Sequence, residues 1–289
     1  MINRLCIIGV GLIGGSLARA LRDANAVGRI IGCGRGAPNL ERAVELGVID
    51  EYDFDPAVAV AGADLVVVAT TLGATRGVFA AIAPALAPQA IITDVGSAKC
   101  RVIEAARETL GPAFARFVAG HPIAGTERSG VEASFGELFR DRRVVLTPEA
   151  ETDPAAHALV ADMWRKTGAE VRDMDAAEHD EVLAATSHLP HVLAYALVEC
   201  LTLMDESETI FDFAAGGFRD FTRIAASSPA MWSDIVMDNR EALLTMLERY
   251  ANVFEHVRSA LQTHDRDALF ALFERAKAAR ARALPPAVE

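Results

Sequence analysis

The feature that most constrains this chain is a group of glycines between an apolar run and a helical one. Residues 5–8 are apolar, glycines stand at positions 9, 11, 14 and 15, and residues 17–21 have helical spacing. Glycines where a strand passes into a helix permit a tight turn and let backbone N–H groups approach a phosphate at the helix N-terminus. The pattern therefore predicts a dinucleotide site at this turn, which includes Gly9, Gly11, Leu12, Ile13 and Gly14.

The first 172 residues alternate between apolar strand-like runs and helical runs, as a doubly wound parallel sheet requires. Strands are predicted at 30–34, 63–70, 90–95, 117–122, 143–148 and 170–172, and helices at 39–47, 75–83, 99–109 and 154–167. Beyond Asp173 helical runs dominate, beginning with a capping signature at Asp175 and Glu178. We predict an α/β fold with a Rossmann-type domain at 1–172 and an all-α domain at 173–289, disordered after about 283.

Composition narrows the class of protein and its partners. No apolar run reaches the roughly 18 residues of a membrane span, and the strand at the N-terminus leaves no room for a signal peptide. A net charge of −12 argues against nucleic acid or an anionic membrane as partner. We expect a soluble, cytoplasmic protein that binds a small molecule. The cysteines are widely spaced, so we expect reduced, mostly buried thiols and no metal site: Cys6, Cys33, Cys100 and Cys200.

The end of the second predicted strand is where this type of fold selects its cofactor. An acidic residue about 20 positions after the glycines accepts the ribose 2′-hydroxyl of NAD, whereas an arginine suits the 2′-phosphate of NADP. Here Gly34 is followed by Arg35, and the next carboxylate along the chain is Glu41. The sequence favours NADP, with NAD as the alternative, unless Arg35 is only a solvated loop residue.

Three loops at predicted carboxyl ends of strands carry polar side chains, and ligands bind at this edge of a doubly wound sheet. They contain Thr70 and Thr71, the segment 94–99 with Asp94, and the segment 120–127 with His121. Thr70, Thr71 and Asp94 are candidates for binding the cofactor. An imidazole titrates near neutrality, so His121 is a candidate general base beside a hydride-transfer centre. A structural histidine is the alternative.

The helical half adds polar residues whose spacing alone is ambiguous. His179, His188 and His191 do not follow a zinc-ligand pattern, and each has a capping or core role as its alternative. Arg219 and Arg223 are one helical turn apart and precede a tryptophan, which suits a carboxylate substrate.

Taken together, these segments resemble the prephenate/arogenate dehydrogenase family of tyrosine biosynthesis. The strings GVGLIGGS, TDVGSAK, GHPIAGTERSGVEAS, SHLPH and GGFRDFTRIAASSPAMW occur in the family's order from residue 6 to about 240. The resemblance implies a Rossmann domain followed by a helical dimerisation domain, and hence a homodimer. It also implies oxidative decarboxylation of prephenate to 4-hydroxyphenylpyruvate, or of arogenate to tyrosine, with hydride transfer to NAD(P).

The resemblance also implies roles for individual residues. His121 would take the proton of the substrate 4-hydroxyl, Ser97 would orient that hydroxyl, and Arg223 would bind a substrate carboxylate. The other positions that match the family's substrate site are Thr126 and Glu127 at the pocket mouth, His179, His188 and His191 lining or supporting it, and Asp220 and Trp232 near it.

Two departures and two rival functions remain at this stage. Many relatives have an acidic residue where Gly34 stands, and the chain has no room for a chorismate-mutase or regulatory domain, so we expect a monofunctional enzyme. One rival is a β-hydroxyacid-type dehydrogenase, which would use a helical-domain lysine, but residues 175–240 contain none. The other is a non-catalytic NADP(H)-binding sensor, which would not need His121, Ser97 and Arg223 in one cleft.

Overall fold

The computed structural model describes residues 1–283, in two compact units divided after Arg240. The unit Met1–Arg240 contains the sheet and the candidate site, and the unit that starts at Glu241 contains two long helices. The predicted boundary at 172 follows a different criterion, the change from sheet to helices, and stays a prediction. The predicted disorder after about 283 lies outside the described residues.

The described chain forms an eight-stranded sheet whose order is β3-β2-β1-β4-β5-β6-β7-β8. All neighbouring strands are parallel except β6 and β7, where His121 pairs with Val145 in an antiparallel ladder. The chain between β6 and β7 contains no long crossover helix, and a parallel return needs one, so β7 runs back beside β6. The strands are β1 Ile2–Ile8, β2 Val27–Cys33, β3 Glu51–Asp53, β4 Leu65–Val68, β5 Ile91–Asp94, β6 Phe117–Pro122, β7 Arg143–Thr147 and β8 Glu170–Asp173.

Helices cover both faces of the sheet and form most of the remaining described chain. β3 and α3 are absent from the prediction because three and four residues are too short to show a period. The helices are α1 Leu12–Asp23, α2 Ala37–Glu45, α3 Pro56–Ala59, α4 Leu72–Ile82, α5 Cys100–Thr109, α6 Pro154–Lys166, α7 Ala176–Leu183, α8 Leu189–Thr202, α9 Ser207–Asp212, α10 Gly216–Thr222, α11 Pro229–Asp238, α12 Arg240–Gln262 and α13 Arg266–Ala283.

The central strands are apolar throughout because both of their faces are covered. On β1, Leu5 and Ile7 pack into the layer that contains α1 and α6, whereas Cys6 and Ile8 pack into the layer that contains α4 and α5. This period of two continues on β4. The parallel register brings the carboxyl ends of the strands side by side, since Ile8 pairs with Cys33 and Val68, and Val68 pairs with Asp94. The polar loops that follow them therefore meet along one edge.

The cysteine prediction is half right. The four thiols are free, and Cys6 and Cys33 are buried in strands. Cys100 and Cys200 are exposed, because each lies on the outward side of its helix, Cys100 at the start of α5 and Cys200 near the end of α8.

From α7 to residue 283 the described chain is helical, as predicted, and Asp175 caps α7 by accepting hydrogen bonds from the backbone of Ala177 and Glu178. Within residues 1–283 no helix is long and apolar enough to cross a membrane. In the second unit, α12 and α13 expose large apolar side chains: Leu244, Tyr250, Val253, Phe254, Leu261, Phe270 and Phe273.

Candidate active site

The glycine turn is tightly packed at two of its glycines and open at a third. Gly9 has φ of 103°, and a Cβ at Gly9 would lie 2.3 Å from the carbonyl oxygen of Ala69. A Cβ at Gly14 would lie 2.3 Å from the Gly9 carbonyl oxygen, so both positions require glycine. The space beside Gly11 is open within 4 Å, and Gly11 has no side chain to cap the N–H groups that begin α1. An anion can therefore approach this helix N-terminus.

Two further cofactor candidates follow β4. The buried Thr70 hydroxyl has no hydrogen-bond partner in the structure. Thr71 is the N-cap of α4, but its side chain makes no capping bond. Leu12 and Ile13, at the start of α1, are half-buried against the core. These residues fit a nucleotide lying across the edge between β1 and β4.

The loop after β2, where the sequence predicts selection between NAD and NADP, is open to solvent. Gly34 is half-buried with a negative φ, and a Cβ there would meet Leu40 at 3.6 Å, an ordinary contact; Arg35 is exposed. The prediction overlooked a carboxylate that comes from the neighbouring strand, since Cys33 at the end of β2 pairs with Asp53 at the end of β3. Burial, followed by the negative charges of Asp53 and Asp55, raises the pKa of Cys33 to about 11.

A buried ion pair lies below the loop that carries Ser97. Lys99 Nζ donates to Asp94 Oδ2 at 2.5 Å and to the Gly120 carbonyl at 2.8 Å, and both side chains are at most 2% exposed. The Asp94 carboxylate also accepts from the backbone N–H groups of Gly96 and Gly120. Burial lowers the pKa of Lys99, and the Asp94 charge opposes this. The pair joins the loop of Ser97, which is half-buried, to Gly120 on β6, the residue before His121.

His121 contacts a second histidine across 58 positions of sequence. His121 Nδ1 lies 2.9 Å from His179 Nε2, and His179 Nδ1 lies 2.8 Å from Asp180 Oδ1. Burial holds the pKa of His121 well below its ordinary value, and the neighbouring His179, Lys99 and His188 lower it further. The imidazole is therefore neutral at pH 7 and able to accept a proton.

Asp180 anchors this cluster, and the sequence-based reasoning did not single it out. Its carboxylate accepts from the backbone N–H groups of Lys99 at 2.8 Å and Cys100 at 2.9 Å. Burial alone would raise the pKa of Asp180, but the hydrogen bonds from His179 and the two N–H groups keep it below its usual value. Asn239 Nδ2 donates to the Asp180 carbonyl at 2.7 Å and lies 3.0 Å from His188 Nδ1. The signal in the sequence was the adjacency of Asp180 to His179.

A π-helical turn at Ala184–His188 joins α7 to α8, and its last residue, His188, lies beside Asn239. Burial lowers the pKa of His188 to about 4. His191 stacks on Trp232, with ring centroids 3.5 Å apart, and its Nδ1 lies 2.8 Å from the Ser187 carbonyl. Both rings border a mostly apolar pocket of about 400 Å³, lined by His191, Val192, Tyr195, Ala196, Glu199, Pro229, Trp232, Ser233 and Val236.

The charged candidates lie at the surface. Arg223 forms an ion pair with Glu127, and both side chains are well exposed. Thr126 accepts a hydrogen bond from the backbone of Arg128, and Asp220 is exposed on α10. Burial lowers the pKa of His191, the hydrogen bond with the Ser187 backbone opposes this, and the positive charge of Arg223 lowers it further. Among the described residues, no three histidine, cysteine or acidic side chains converge as a metal site.

A glycine turn on a doubly wound sheet, with a neutral histidine at the same edge, is typical of a dehydrogenase that uses a pyridine nucleotide. Comparisons with known proteins identify the family. The model of the prephenate dehydrogenase nucleotide-binding domain matches residues 17–173, and that of the prephenate dehydrogenase dimerization domain matches residues 175–275.

Individual relatives agree with the family models. The cyclohexadienyl dehydrogenase of Zymomonas mobilis is 39% identical over 280 residues, which cover 96% of this chain and 95% of that protein. The structure of Aquifex aeolicus prephenate dehydrogenase with hydroxyphenyl propionate and NAD+ has a TM-score of 0.91 at 35% identity and 98% coverage of both chains. Synechocystis arogenate dehydrogenase has a TM-score of 0.81 at 28% identity, with 97% of this chain and 100% of that chain covered.

The chain belongs to the prephenate/arogenate dehydrogenase family, whose members are NAD(P)-dependent oxidoreductases of tyrosine biosynthesis. The family and the fold class inferred from the sequence are confirmed. The comparisons support this dehydrogenase class rather than the β-hydroxyacid-type enzyme or the non-catalytic sensor.

Proposed function

We propose that the chain catalyses oxidative decarboxylation of prephenate, of arogenate or of both, to 4-hydroxyphenylpyruvate or tyrosine, CO2 and NAD(P)H. The observation that carries this proposal is the neutral, buried His121 at the end of β6, on the edge that also carries the glycine turn. The names of the relatives, which include prephenate, cyclohexadienyl and arogenate dehydrogenases, support these substrates.

His121 takes the proton of the 4-hydroxyl as hydride leaves the ring carbon that bears it. The oxidised nicotinamide, when bound, supplies the hydride acceptor. Loss of the ring carboxylate as CO2 leaves its electron pair in the ring, which becomes aromatic as a phenolate. The proton held by His121 is then returned to that phenolate oxygen, so the enzyme gains no net proton. His121 therefore needs a low pKa at rest and a stabilised imidazolium during turnover.

The other site residues bind and orient. Ser97 orients the 4-hydroxyl from a loop fixed by the Asp94–Lys99 pair. Arg223 binds a substrate carboxylate, and Glu127 holds that guanidinium until the substrate replaces it. His191, stacked on Trp232, faces the substrate side chain, while Thr126, His188 and Asp220 shape the substrate site around it. His179 is 0% exposed, so we place it behind His121 rather than against substrate.

For the cofactor, we propose that NADP is preferred over NAD. Gly34 leaves room for the 2′-phosphate, and the exposed Arg35 supplies a guanidinium for it. Asp53 and Asp55 act against this preference because they bring negative charge to the end of β2. Gly9, Gly11, Gly14, Thr70 and Thr71 line the rest of the nucleotide path in this proposal.

We also propose a homodimer of two-domain subunits divided near residue 172. The matching family model is that of a dimerization domain, and α12 and α13 expose apolar side chains such as Phe254 and Phe270, which favours association. The free thiols Cys6 and Cys33 suit a reducing compartment such as the cytoplasm.

The test is an initial-rate assay of prephenate and arogenate, each with NAD+ and with NADP+, followed at 340 nm. Turnover of either substrate is expected, with NADP+ faster than NAD+ at equal concentration. A folded enzyme that is inactive in all four combinations would contradict the proposed activity, whereas faster turnover with NAD+ would contradict only the cofactor assignment.

A further inference from the structure

His179 lies between Asp180 and His121 and contacts both. These contacts permit one arrangement of protons when the imidazoles of His121 and His179 are neutral. A carboxylate can only accept, so His179 must donate through Nδ1 to Asp180 Oδ1 over 2.8 Å. The Nε2 of a neutral His179 is then an acceptor, and His121 Nδ1, 2.9 Å away, must carry the hydrogen. The lone pair of His121 is consequently on Nε2, the nitrogen that is not engaged with His179.

The carboxylate that starts this chain of contacts is held in place. Asp180 is 4% exposed, and its Oδ1 also accepts from the Lys99 backbone while its Oδ2 accepts from Cys100. Both N–H groups belong to the segment that leads into α5, so rotation of the carboxylate would leave buried donors unpaired. The side chain cannot turn away from His179 without that loss.

We propose that Asp180 is the positioning residue for the catalytic base: through His179 it keeps the proton of His121 on Nδ1, and its charge stabilises the imidazolium formed during turnover. This inference rests on the proposed function only in taking His121 as the base. In catalytic triads a carboxylate orients the catalytic histidine directly. Here a second histidine, His179, lies between the carboxylate and the base. His179 is then a relay rather than a substrate ligand.

His188 serves as an internal reference, because its contacts favour the other tautomer, with the hydrogen on Nε2. Asn239 Nδ2 faces the Asp180 carbonyl, which only accepts, so this atom is the amide nitrogen. Its second hydrogen is then directed to His188 Nδ1 at 3.0 Å, and the hydrogen of neutral His188 is on Nε2. The backbone carbonyl survives any substitution of Asp180, so His188 should keep this form in the variants.

The experiment is a long-range 1H–15N correlation of the full-length enzyme labelled at its seven histidines, which separates protonated from bare ring nitrogens. The His121→Asn and His179→Gln spectra assign the signals. Wild type is expected to have the hydrogen on Nδ1 in His121 and His179 and on Nε2 in His188. In Asp180→Ala the first two are expected to lose this single form, with kcat falling about 100-fold or more and KM within twofold.

Asp175→Ala is the matched control, because the Asp175 carboxylate also accepts two backbone N–H groups at the start of α7. Its hydrogen bond with His179 joins backbone to backbone and survives the substitution. This variant should keep the tautomers and the kcat of wild type. Asp180→Asn keeps the volume and one acceptor oxygen if alanine prevents folding. Its kcat should fall at least about tenfold, because the charge is lost.

Three results would overturn the inference: a hydrogen on His121 Nε2 in resting wild type, wild-type kcat in Asp180→Asn, or equal losses in Asp175→Ala and Asp180→Ala. The tautomer readout is independent of turnover. An enzyme inactive on both substrates that still has the expected tautomers, lost in Asp180→Ala, would refute the proposed reaction and support the role of Asp180.

Discussion

The two ends of the strand edge differ in how tightly their polar groups are held. At the His121 end, Lys99, Asp94, His179 and Asp180 are almost fully buried, and each has hydrogen-bond partners within 3 Å. At the other end, Gly34 has room for a side chain and Arg35 is exposed. A buried polar network is costly to alter because every lost partner leaves an unpaired group, whereas an exposed loop accepts new charges cheaply. We therefore expect substitutions at the His121 end to abolish or strongly reduce catalysis, and substitutions at the Gly34 end to change the cofactor preference at little cost in stability.

The largest effect is expected at the buried end. His121→Asn removes the proton acceptor, so kcat should fall about 10²–10⁴-fold, the usual contribution of a general base. Binding of NADPH, measured by fluorescence titration, should stay within about twofold because the glycine turn is untouched. A variant with normal kcat would remove His121 from the mechanism.

Lys99→Met comes next and acts on stability. It leaves the Asp94 carboxylate buried without its cation, which typically costs about 3–5 kcal/mol. Urea denaturation measures the loss. The control is Lys166→Met, which breaks an exposed pair with Asp162 at 2.6 Å and should cost less than about 1 kcal/mol. Equal losses of unfolding free energy in the two variants would mean that burial of the Asp94–Lys99 pair does not increase its contribution to stability.

These predictions also indicate which parts of the molecule a sequence can reveal. The central strands follow from apolar runs such as residues 65–68, and the glycine turn follows from spacing, because both are local patterns. His121 was found because it ends a strand beside glycines. The same reasoning gave NADP from a search along the chain alone, which missed Asp53 on the adjacent strand.

The buried network was not predictable in this way. Lys99 looks like a surface residue in a polar string, and only the fold encloses it beside Asp94 and Gly120. The contact of His121 with His179 joins two elements 58 residues apart, and no periodicity encodes it. The antiparallel β7 depends on how the chain between β6 and β7 returns, which is also a property of the whole fold.

Among the exposed groups, Arg223→Ala should have the larger effect. It removes one charged hydrogen-bond donor for the substrate carboxylate, so KM should rise about 10- to 100-fold with a smaller change in kcat. Arg76→Ala is the control, since the exposures of Arg76 and its partner Glu108, 60% and 46%, match those of Arg223 and Glu127, 63% and 46%. An unchanged KM in Arg223→Ala would move the carboxylate contact elsewhere.

The smallest effect is expected at Gly34. Gly34→Asp places a carboxylate where it repels the 2′-phosphate, and the only close neighbour of the new Cβ is Leu40 at 3.6 Å, so folding is unaffected. The ratio of kcat/KM for NADP+ to that for NAD+ should fall by about tenfold, or about 1.4 kcal/mol. Gly77→Asp, exposed on α4, makes the same change in net charge and should leave the ratio unchanged.

The most direct test of the central claim, that His121 is the base and is neutral at rest, is the pH dependence of kcat/KM. Burial lowers the pKa of His121 well below 6.5, so the base form persists at neutral pH and is lost only as the pH falls through that lowered pKa. Wild type should give a flat profile from about pH 8 to below 6.5 and then a decline that His121→Asn lacks. A decline centred at or above 6.5, or one that persists unchanged in His121→Asn, would contradict the account.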